Sequence, residues 1–117
     1  MQNKHSKGKG GEKIAENFLK EKGFQLIERN YRYGRGEIDL IFHDNAVLVF
    51  VEVKSRQTDT YGEPEDSITP RKRKQIRKIA EAYLWEKEIK NTECRFDVVA
   101  IKWEIGKPII KYIPNAF

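Results

Sequence analysis

The sequence predicts one α/β domain in which helices flank a mixed central β-sheet. Two segments have the apolar spacing of amphipathic helices, and five have the β-branched and aromatic composition of strands. Their order along the chain is a helix, three strands, a second helix and two strands. A length of 117 residues suits one domain with a modest core. Because a sheet has two faces, we expect both helices to be needed to cover it.

The N-terminal part is predicted to hold a basic tail and the first helix. Residues 1–10 are rich in lysine and glycine and contribute no core former, so we expect them to be disordered. Apolar residues then recur at helical spacing from Gly11 to Lys22, and Gly23 is a natural C-terminal stop. Residues 11–117 are therefore predicted to form the single folded domain.

Three strands are predicted next. The first covers residues 24–31 and is followed by a connection whose glycines permit a tight turn. The second and third, residues 36–41 and 49–54, are rich in Val, Ile, Leu and Phe, and Asp44-Asn45 is predicted to form the hairpin turn between them. Residues 55–68 are polar and are predicted to form a long loop, which in a compact domain tends to be functional or mobile.

The second helix has a well-marked start. Thr69 is suited to the N-cap and Pro70 to the first helical position, and the helix is predicted to run to about Lys90. A fourth strand is predicted over residues 95–103. A glycine-containing turn then leads into a short last strand, residues 109–113.

Charged side chains interrupt two of the apolar strands. Asp39 lies in the second predicted strand, and Glu52 and Lys54 lie in the third. A buried carboxylate without a partner is costly, so such residues tend to be hydrogen-bonded, paired or bound to a cation. Because Glu52 and Lys54 are two residues apart on a strand, their side chains share a face. These residues are therefore a candidate site.

The position of Asp39 depends on the hairpin turn. A two-residue turn at Asp44-Asn45 would place Asp39 opposite Phe50 and diagonally next to Glu52. A three-residue loop would put Asp39 on the other face of the sheet. In the two-residue register Glu37 lies directly opposite Glu52, so it is a competing carboxylate.

The basic residues are concentrated in one segment. The net charge is +5, from 23 Lys and Arg against 18 Asp and Glu, and residues 71–78 alone account for the basic excess. The predicted nucleic-acid-binding residues are Arg71, Lys72, Arg73, Lys74, Arg77 and Lys78. Cations at a helix N-terminus oppose the helix dipole, so helix stability does not explain them. A polyanionic partner is one explanation, and an ordinary solvated helix face is the other.

Composition excludes several classes of protein. No apolar run approaches the ~20 residues of a membrane helix, and we expect a cytoplasmic protein without membrane attachment. The single cysteine, Cys94, excludes an intrachain disulfide, and with only His5 and His43 beside it the chain is poorly suited to zinc. A hard, oxygen-ligated cation remains, and no organic cofactor is expected.

The acids and the lysine suit metal-assisted hydrolysis of a phosphodiester. Asp39 and Glu52 would supply oxygen ligands to Mg²⁺ or Mn²⁺, together with a backbone carbonyl near Val53. The cation would polarise the phosphate and lower the pKa of a bound water. Lys54 would orient that water or stabilise charge on the phosphate. The alternative is a half-buried Glu-Lys pair on an edge strand.

Two other acids are interpreted as structural from the residues alone. Glu12 lies near the start of the first helix, where a negative charge stabilises the helix N-terminus. Asp97 interrupts the fourth strand as Asp39 interrupts the second, but it lacks a neighbouring acid and lysine.

Five segments carry a resemblance to a known family. They are Gly11-Glu12-x-x-Ala15-x-x-x-Leu19-x-x-x-Gly23, Gly36-Glu37-Ile38-Asp39-Leu40-Ile41, Val49-Phe50-Val51-Glu52-Val53-Lys54, Thr69-Pro70-Arg71-Lys72 and Arg95-Phe96-Asp97-Val98-Val99. With them the chain resembles the PD-(D/E)xK nuclease superfamily, and more closely the small bacterial YraN-like proteins, a group of predicted endonucleases. The resemblance covers about residues 8–101 and implies a restriction-endonuclease-like core.

The resemblance also implies a role for Glu12. In the related archaeal Holliday-junction resolvases a helix-1 glutamate lies eleven residues before a glycine, as Glu12 does before Gly23, so Glu12 joins the implied active site. Ile38 stands where the nominal motif has proline. Gln75 lacks the partner tyrosine of some superfamily branches and is left out of the catalytic set. Junction resolvases act as dimers, which implies a homodimer here.

The leading hypothesis is a Mg²⁺- or Mn²⁺-dependent endonuclease of DNA, acting on branched or Holliday-junction DNA in repair or recombination. Its predicted catalytic residues are Glu12, Asp39, Glu52 and Lys54, and its predicted metal ligands are Asp39, Glu52 and Val53. One alternative is a nucleic-acid-binding module with the same fold and no turnover. Another is a protein-interaction domain whose basic helix meets an acidic partner. The choice between DNA and RNA, and any contribution of Glu37 or Asp97, stay open.

Overall fold

A computed structural model describes residues 4–57 and 62–117, with side chains described from residue 10 onward. The elements in chain order are α1 (Lys4–Glu21), β1 (Gln25–Tyr33), β2 (Gly36–Asp44), β3 (Val47–Gln57), a 3-10 helix (Pro64–Ser67), α2 (Pro70–Glu86), β4 (Cys94–Glu104) and β5 (Lys107–Ile113). This order confirms the predicted α/β class and the predicted sequence of helices and strands.

The five strands form one mixed sheet in the order β1-β2-β3-β4-β5. The pair β3 and β4 is parallel, and the other three neighbouring pairs are antiparallel. Two parallel strands need a long crossover connection, and α2 lies in that connection. The start of α2 and the C-terminal half of β3 are thereby brought together.

Each helix covers its own face of the sheet. The core under α1 consists of Ala15, Leu19, Leu40, Phe42, Val49, Val51, Val99 and Ile101. The core under α2 consists of Tyr31, Ile38, Ile41, Leu48, Phe50, Ile76, Ile79, Ala80 and Tyr83. Consecutive residues of β3 alternate between the two cores, as side chains of a regular strand must. Both helices are therefore needed to bury the sheet, as predicted.

The strand β2 changes faces at one point. Ile38 packs in the core under α2, whereas Leu40, two residues later, packs in the core under α1. On a regular strand these side chains would share a face, so the alternation is broken between them, at Asp39. Across from Asp39 lies Asn30 of β1, whose φ of 52° is in the left-handed region. This irregularity sets the position of the acidic residues described below.

The first helix begins earlier than predicted. It starts at Lys4 rather than Gly11, so residues 4–10 of the expected disordered tail belong to α1, while residues 1–3 lie outside the described residues. Apolar spacing marks only the part of a helix that packs on a sheet, whereas backbone hydrogen bonding can continue beyond it. The prediction was therefore wrong about this boundary.

The predicted long loop after β3 is shorter than expected. Ser55, Arg56 and Gln57 continue β3, because β4 offers them pairing partners as far as Trp103. Residues 58–61 lie outside the described residues, and a 3-10 helix occupies residues 64–67.

The second helix begins where the sequence predicts. The Thr69 side chain caps it by accepting a 3.2 Å hydrogen bond from the Lys72 N–H. It ends at Glu86 rather than near Lys90, and Glu88 then adopts a left-handed φ of 55°. Within the described residues, no helix is long and apolar enough to cross a membrane.

Candidate active site

The β2–β3 hairpin turns at Asn45-Ala46, one residue later than predicted. Asp44 pairs with Val47, and the register continues to Leu40 opposite Val51. Asn45 has a φ of 55°, a conformation that asparagine adopts more readily than most residues. The turn therefore forms with Asn45 as its first residue.

This later turn changes the partner of Asp39 but not its face. The prediction that Asp39 lies opposite Phe50 is wrong, because Phe50 pairs with Ile41. The pairing ends at Leu40 opposite Val51, and just beyond it the Asp39 side chain accepts a hydrogen bond from the N–H of Val53, the residue after Glu52. The shift of two residues keeps the parity of the pairing up to Leu40. The predicted approach of Asp39 to Glu52 is confirmed, because both line one cavity and the Asp39 carboxylate raises the pKa of Glu52. Glu37 does not lie opposite Glu52.

Asp39 is partly buried and held by the backbone of β3. The Val53 N–H donates a hydrogen bond of 2.8 Å to Oδ2 of Asp39. The pKa of Asp39 is raised to about 7, first by burial and further by the carboxylates of Glu12 and Glu37. The hydrogen bond from Val53 and the ammonium of Lys54 act in the opposite direction. The residue thus lies in a site that disfavours its negative charge.

Glu52 is the most deeply buried acid of the site, with 5% of its surface exposed. Its pKa is raised to about 8, first by burial and then by the Asp39 carboxylate, while Lys54 and Lys72 partly offset this. Its Oε1 atom is buried and has no hydrogen-bond partner among the described residues. Most buried polar atoms in proteins have such a partner, so this oxygen requires an explanation.

Asp39 also belongs to a group of three converging carboxylates. Glu12 of α1 and Glu37 and Asp39 of β2 each place one oxygen within 4.8 Å of the others. The Asn30 side-chain amide donates to both Glu12 Oε1 and Glu37 Oε2 at 3.0 Å. The structure therefore brings Glu12 next to the other predicted site residues, as the resemblance implies. The residues alone had favoured a role at the helix N-terminus.

Two members of this cluster were missed or left undecided by sequence reasoning. Glu37 was considered only as a competitor, although its spacing of two from Asp39 on one strand could have indicated a shared surface. Asn30 was not considered. Its signal would have been asparagine in the middle of a strand, where this residue is depleted.

Two lysines complete a cleft of about 280 Å³ above these acids. Lys54 comes from β3 and Lys72 from the first turn of α2, and Gln75 also lines the cleft. Val53 lines it too, although the contact that the structure gives is from its N–H to Asp39. Ligation of a cation by the Val53 carbonyl remains a prediction.

The structure divides the basic cluster of α2 into separate groups. Lys72 faces the acidic cleft, whereas the Arg73 guanidinium lies 5.7 Å from the Phe117 ring centroid. Arg77 lies 5.1 Å from the Phe96 ring and 5.6 Å from the Phe117 ring. Such contacts stabilise the fold, so these two arginines have a structural role as well as the predicted one. Both arginines are nevertheless exposed, as are Arg71, Lys74 and Lys78, and only Lys72 is half-buried.

Asp97 lies outside the site, and its structural interpretation is confirmed. It is fully buried and shares the face under α1 with Val99. Arg95 donates to it at 3.0 Å, the Asn115 N–H donates at 2.8 Å, and the Tyr112 hydroxyl donates a further hydrogen bond. Its charge is therefore satisfied within the fold.

Comparison with known proteins places this site within a family. The model of the uncharacterised protein family UPF0102 matches residues 11–101 of the chain. The chain belongs to this family. The matched residues contain every acid of the cleft and the entire basic cluster of α2, and the resemblance to the YraN-like proteins is confirmed at this level.

Family relatives match almost the whole chain. A UPF0102 protein of Chlorobium phaeobacteroides is 41% identical over 119 residues, which cover 97% of this chain and 94% of the relative. A UPF0102 protein of Prosthecochloris aestuarii is 47% identical over the same shares of both chains. One from Syntrophus aciditrophicus is 44% identical over 110 residues, covering 94% of this chain and 87% of the relative.

The donor atoms of the UPF0102 cleft fit a hard divalent cation. The acidic side chains that converge there offer carboxylate oxygens, which Mg²⁺ and Mn²⁺ prefer. A cation would neutralise acids whose pKa values are raised by burial and by one another, and it would give the Glu52 Oε1 atom a partner. The predicted pair Asp39 and Glu52 is thus one part of a larger set that also holds Glu12 and Glu37.

Proposed function

We propose that this chain is a divalent-cation-dependent endonuclease that hydrolyses phosphodiester bonds in DNA. The observation that carries the proposal is the buried Oε1 atom of Glu52, which lacks a hydrogen-bond partner among the described residues and lies beside Asp39. A fold without a ligand at this point would gain by replacing either acid with an amide or an apolar residue. A cation ligand accounts for both acids.

The residues that would hold Mg²⁺ or Mn²⁺ are Asp39 and Glu52, with Glu37 and Glu12 beside them. Such a cation supplies charge neutralisation at the phosphate and activation of a water molecule. The Val53 N–H fixes one oxygen of Asp39 and leaves the other free to bind. Asn30 holds Glu12 and Glu37 in place through its amide.

The lysines of the cleft supply positive charge where a phosphodiester would react. Lys54 lies on the same face of β3 as Glu52, so its ammonium is suited to stabilise charge that develops on the phosphate. Lys72 approaches from α2 on the other side of the cleft. The exposed cations of α2, Arg71, Lys74 and Lys78, would hold the phosphate backbone on either side of the bond that is cut.

The arrangement of elements supports assignment to the restriction-endonuclease-like folds. A helix, an antiparallel set of three strands, a crossover helix and a parallel fourth strand place an acid on β2 and a Glu-x-Lys motif on β3. This is the pattern of the PD-(D/E)xK superfamily that the sequence resembles. Branched DNA in repair or recombination is the substrate class that the resemblance to junction resolvases favours.

Cleavage assays on matched substrates test the proposal. A linear duplex, a four-way junction and a duplex with a single-stranded flap, all of the same sequence, are incubated with the protein in Mg²⁺, Mn²⁺ or EDTA. We expect cation-dependent cleavage by the wild type and by Glu104→Gln, which removes an exposed acid outside the cleft. Asp39→Asn, Glu52→Gln and Lys54→Met should each lose cleavage by at least about 100-fold, as removal of a transition-state contact does.

Calorimetric titration with Mn²⁺ separates catalysis from simple binding. We expect the wild type and Glu104→Gln to bind the cation and Asp39→Asn to bind it much more weakly. Cleavage by Asp39→Asn at the wild-type rate would overturn the proposed site. Binding of DNA with neither Mn²⁺ binding nor cleavage would instead favour the nucleic-acid-binding module.

A further inference from the structure

A second groove of about 760 Å³ lies between the C-terminal half of α2 and the end of β1. We call it the aromatic groove, and its aromatic and cationic lining consists of Tyr31, Tyr33, Trp85, Arg32 and Lys78. None of these residues except Lys78 belongs to the site that the sequence predicted.

Two rings of the aromatic groove are exposed to solvent. Trp85 has 86% of its surface exposed and Tyr33 has 55%. Packing does not require Trp85, because the buried stripe of α2 consists of Ile76, Ile79, Ala80 and Tyr83. Large exposed aromatic surface rimmed by charged groups is typical of an interaction site.

The spacing along α2 aligns the polar and aromatic groups of the groove. Glu81 and Ala82 each lie three or four residues from both Lys78 and Trp85, so all four residues line one side of the helix. Lys78 lies about two turns, or ~10 Å, before Trp85 along the helix axis. The groove thus has a basic end near Lys78 and an aromatic end at Trp85.

Consecutive residues of the β1–β2 connection line the aromatic groove and the acidic cleft. Tyr33 and Gly34 line the groove, while the next two residues, Arg35 and Gly36, line the cleft. Arg32 of the groove also pairs with Glu37 of the cleft, with 3.3 Å between Nη2 and Oε1. A ligand that occupied both would pass over one short connection between β1 and β2.

Given the proposed nuclease function, on which this inference rests, we propose that the aromatic groove binds an unpaired nucleotide of the nucleic-acid substrate. A base outside a duplex offers a flat apolar face that stacks on Trp85 and Tyr33. Arg32 and Lys78 lie where they can contact the adjoining phosphates. The substrate is then DNA with single-stranded nucleotides next to the bond that is cut.

The acids of the groove suit a base better than a phosphate. Glu86 accepts a hydrogen bond from the Tyr31 hydroxyl and so holds that ring. Glu81 lies on the same helix face as Trp85, where its carboxylate would repel a phosphate but accept a hydrogen bond from the amino group of cytosine or adenine. A continuous duplex, whose bases are stacked inside and whose phosphates face outward, fits this end poorly.

Intrinsic fluorescence tests this inference without any cleavage. Trp103→Phe leaves Trp85 as the single tryptophan of the chain, and the Asp39→Asn change with EDTA prevents hydrolysis. This protein is titrated with a single strand, with a duplex carrying a single-stranded flap, and with a blunt duplex of equal length. We expect the first two to quench Trp85 emission and the blunt duplex to leave it unchanged.

Variant affinities, measured by fluorescence anisotropy of labelled DNA, give the second test. We expect Trp85→Ala to weaken binding of the single strand and of the flap roughly tenfold, as loss of one stacked base does, and to change duplex binding less than about twofold. The control is Ile105→Ala, which removes a fully exposed apolar side chain at the β4–β5 turn and should leave all affinities unchanged.

The possible failures are distinguishable. Equal binding by Trp85→Ala and Ile105→Ala would overturn the inference and leave the proposed cleavage intact. Absence of cation-dependent cleavage would overturn the proposed function while Trp85 quenching could still be observed. A Trp85-dependent dimer in sedimentation velocity, with no response to oligonucleotides, would assign the groove to a second copy of the chain and overturn the inference.

Discussion

The Val53 N–H donates a 2.8 Å hydrogen bond to the Asp39 carboxylate. Because Val53 follows Glu52 in β3, the strand that carries Glu52 also fixes the position of Asp39. Both acids lie next to the last pair of the hairpin register, Leu40 and Val51, on strands that pair with each other. Burial raises the pKa of each acid; the Asp39 carboxylate further raises that of Glu52, and the carboxylates of Glu12 and Glu37 further raise that of Asp39. The fold thus holds two neighbouring acids where their negative charge is disfavoured.

The metal-free protein should lose stability as the pH rises. The ordinary pKa values of 3.8 for Asp39 and 4.5 for Glu52 apply in the unfolded chain, and the folded values are about 7 and about 8. Between these limits the folded state binds more protons, so the free energy of unfolding falls with pH, by ~1.4 kcal/mol for each pKa unit of a single group. Urea unfolding in EDTA from pH 4 to pH 8.5 measures this decline.

The same experiment with amide variants assigns the decline to the acid pair. Asp39→Asn and Glu52→Gln should each reduce the fall of the free energy of unfolding with pH. Each variant should also be more stable than the wild type at pH 8 in EDTA. Addition of Mn²⁺ should raise the free energy of unfolding of the wild type only. A wild-type stability that rises through this pH range would contradict the assigned burial of these acids.

The strand pair that holds the site could be predicted because its signals are local. A spacing of two fixes the common face of Glu52 and Lys54. The predicted β2–β3 register was wrong by two residues, and an error of an even number of residues leaves each side chain on its predicted face of the sheet. The contribution of Asn30 was missed, since its left-handed backbone within β1 leaves no mark on the apolar pattern, and its one signal is an asparagine in the middle of a strand. The place of Glu12 depends on how α1 packs.

The split of the basic cluster was also beyond the sequence. Helical spacing puts Arg73 and Arg77 on one face, but only the fold shows that Phe96 of β4 and Phe117 at the chain terminus lie under them. Long-range contacts of this kind show which cations also pack against the fold, although Arg73 and Arg77 stay exposed. The sequence could therefore identify a basic helix but not which of its residues would hold DNA.

Gly36 is required for α2 to lie close to the cleft. A Cβ atom at this position would lie 2.5 Å from Cδ1 of Ile79 and 3.2 Å from the amide nitrogen of Gln75. We expect Gly36→Ala to lower the free energy of unfolding by about 1–3 kcal/mol, as overpacking does, and to weaken Mn²⁺ binding because α2 must shift. The control is Gly10→Ala in α1, whose Cβ would contact nothing within 4 Å; because alanine favours a helix, it should raise the free energy of unfolding by up to about 1 kcal/mol and leave Mn²⁺ binding unchanged.

Lys72 and Lys74 should contribute equally to DNA binding but differently to DNA cleavage. Both carry one charge on the same helix, but only Lys72 lines the acidic cleft. Each change to Gln should reduce by about one the slope of the logarithm of the binding constant against the logarithm of salt concentration. Only Lys72→Gln should also slow cleavage at saturating DNA. Equal cleavage rates in the two variants would show that Lys72 does not act at the reacting phosphate.

Glu16 should give the protein an opposite pH dependence in acid. Its carboxylate is 2% exposed and accepts hydrogen bonds from Arg29 at 2.7 and 2.9 Å. These bonds hold the pKa of Glu16 at about 2, below the ordinary 4.5, so its contribution is present above pH 4.5 and is lost as the pH falls towards 2. Glu16 also lies one turn after Glu12 on α1, and the pair with Arg29 docks that helix on β1.

Replacement of Glu16 by Gln therefore tests stability and site geometry together. We expect Glu16→Gln to remove the loss of unfolding free energy that occurs as the pH falls below 4.5, but not the loss that occurs as the pH rises above it. It should also weaken Mn²⁺ binding modestly, because Glu12 is held less firmly. Glu21→Gln, which removes an acid at the exposed end of the same helix, is the matched control. If Glu16→Gln lost stability equally at every pH, the ion pair would be a packing element only, and the acid decline would come from other carboxylates.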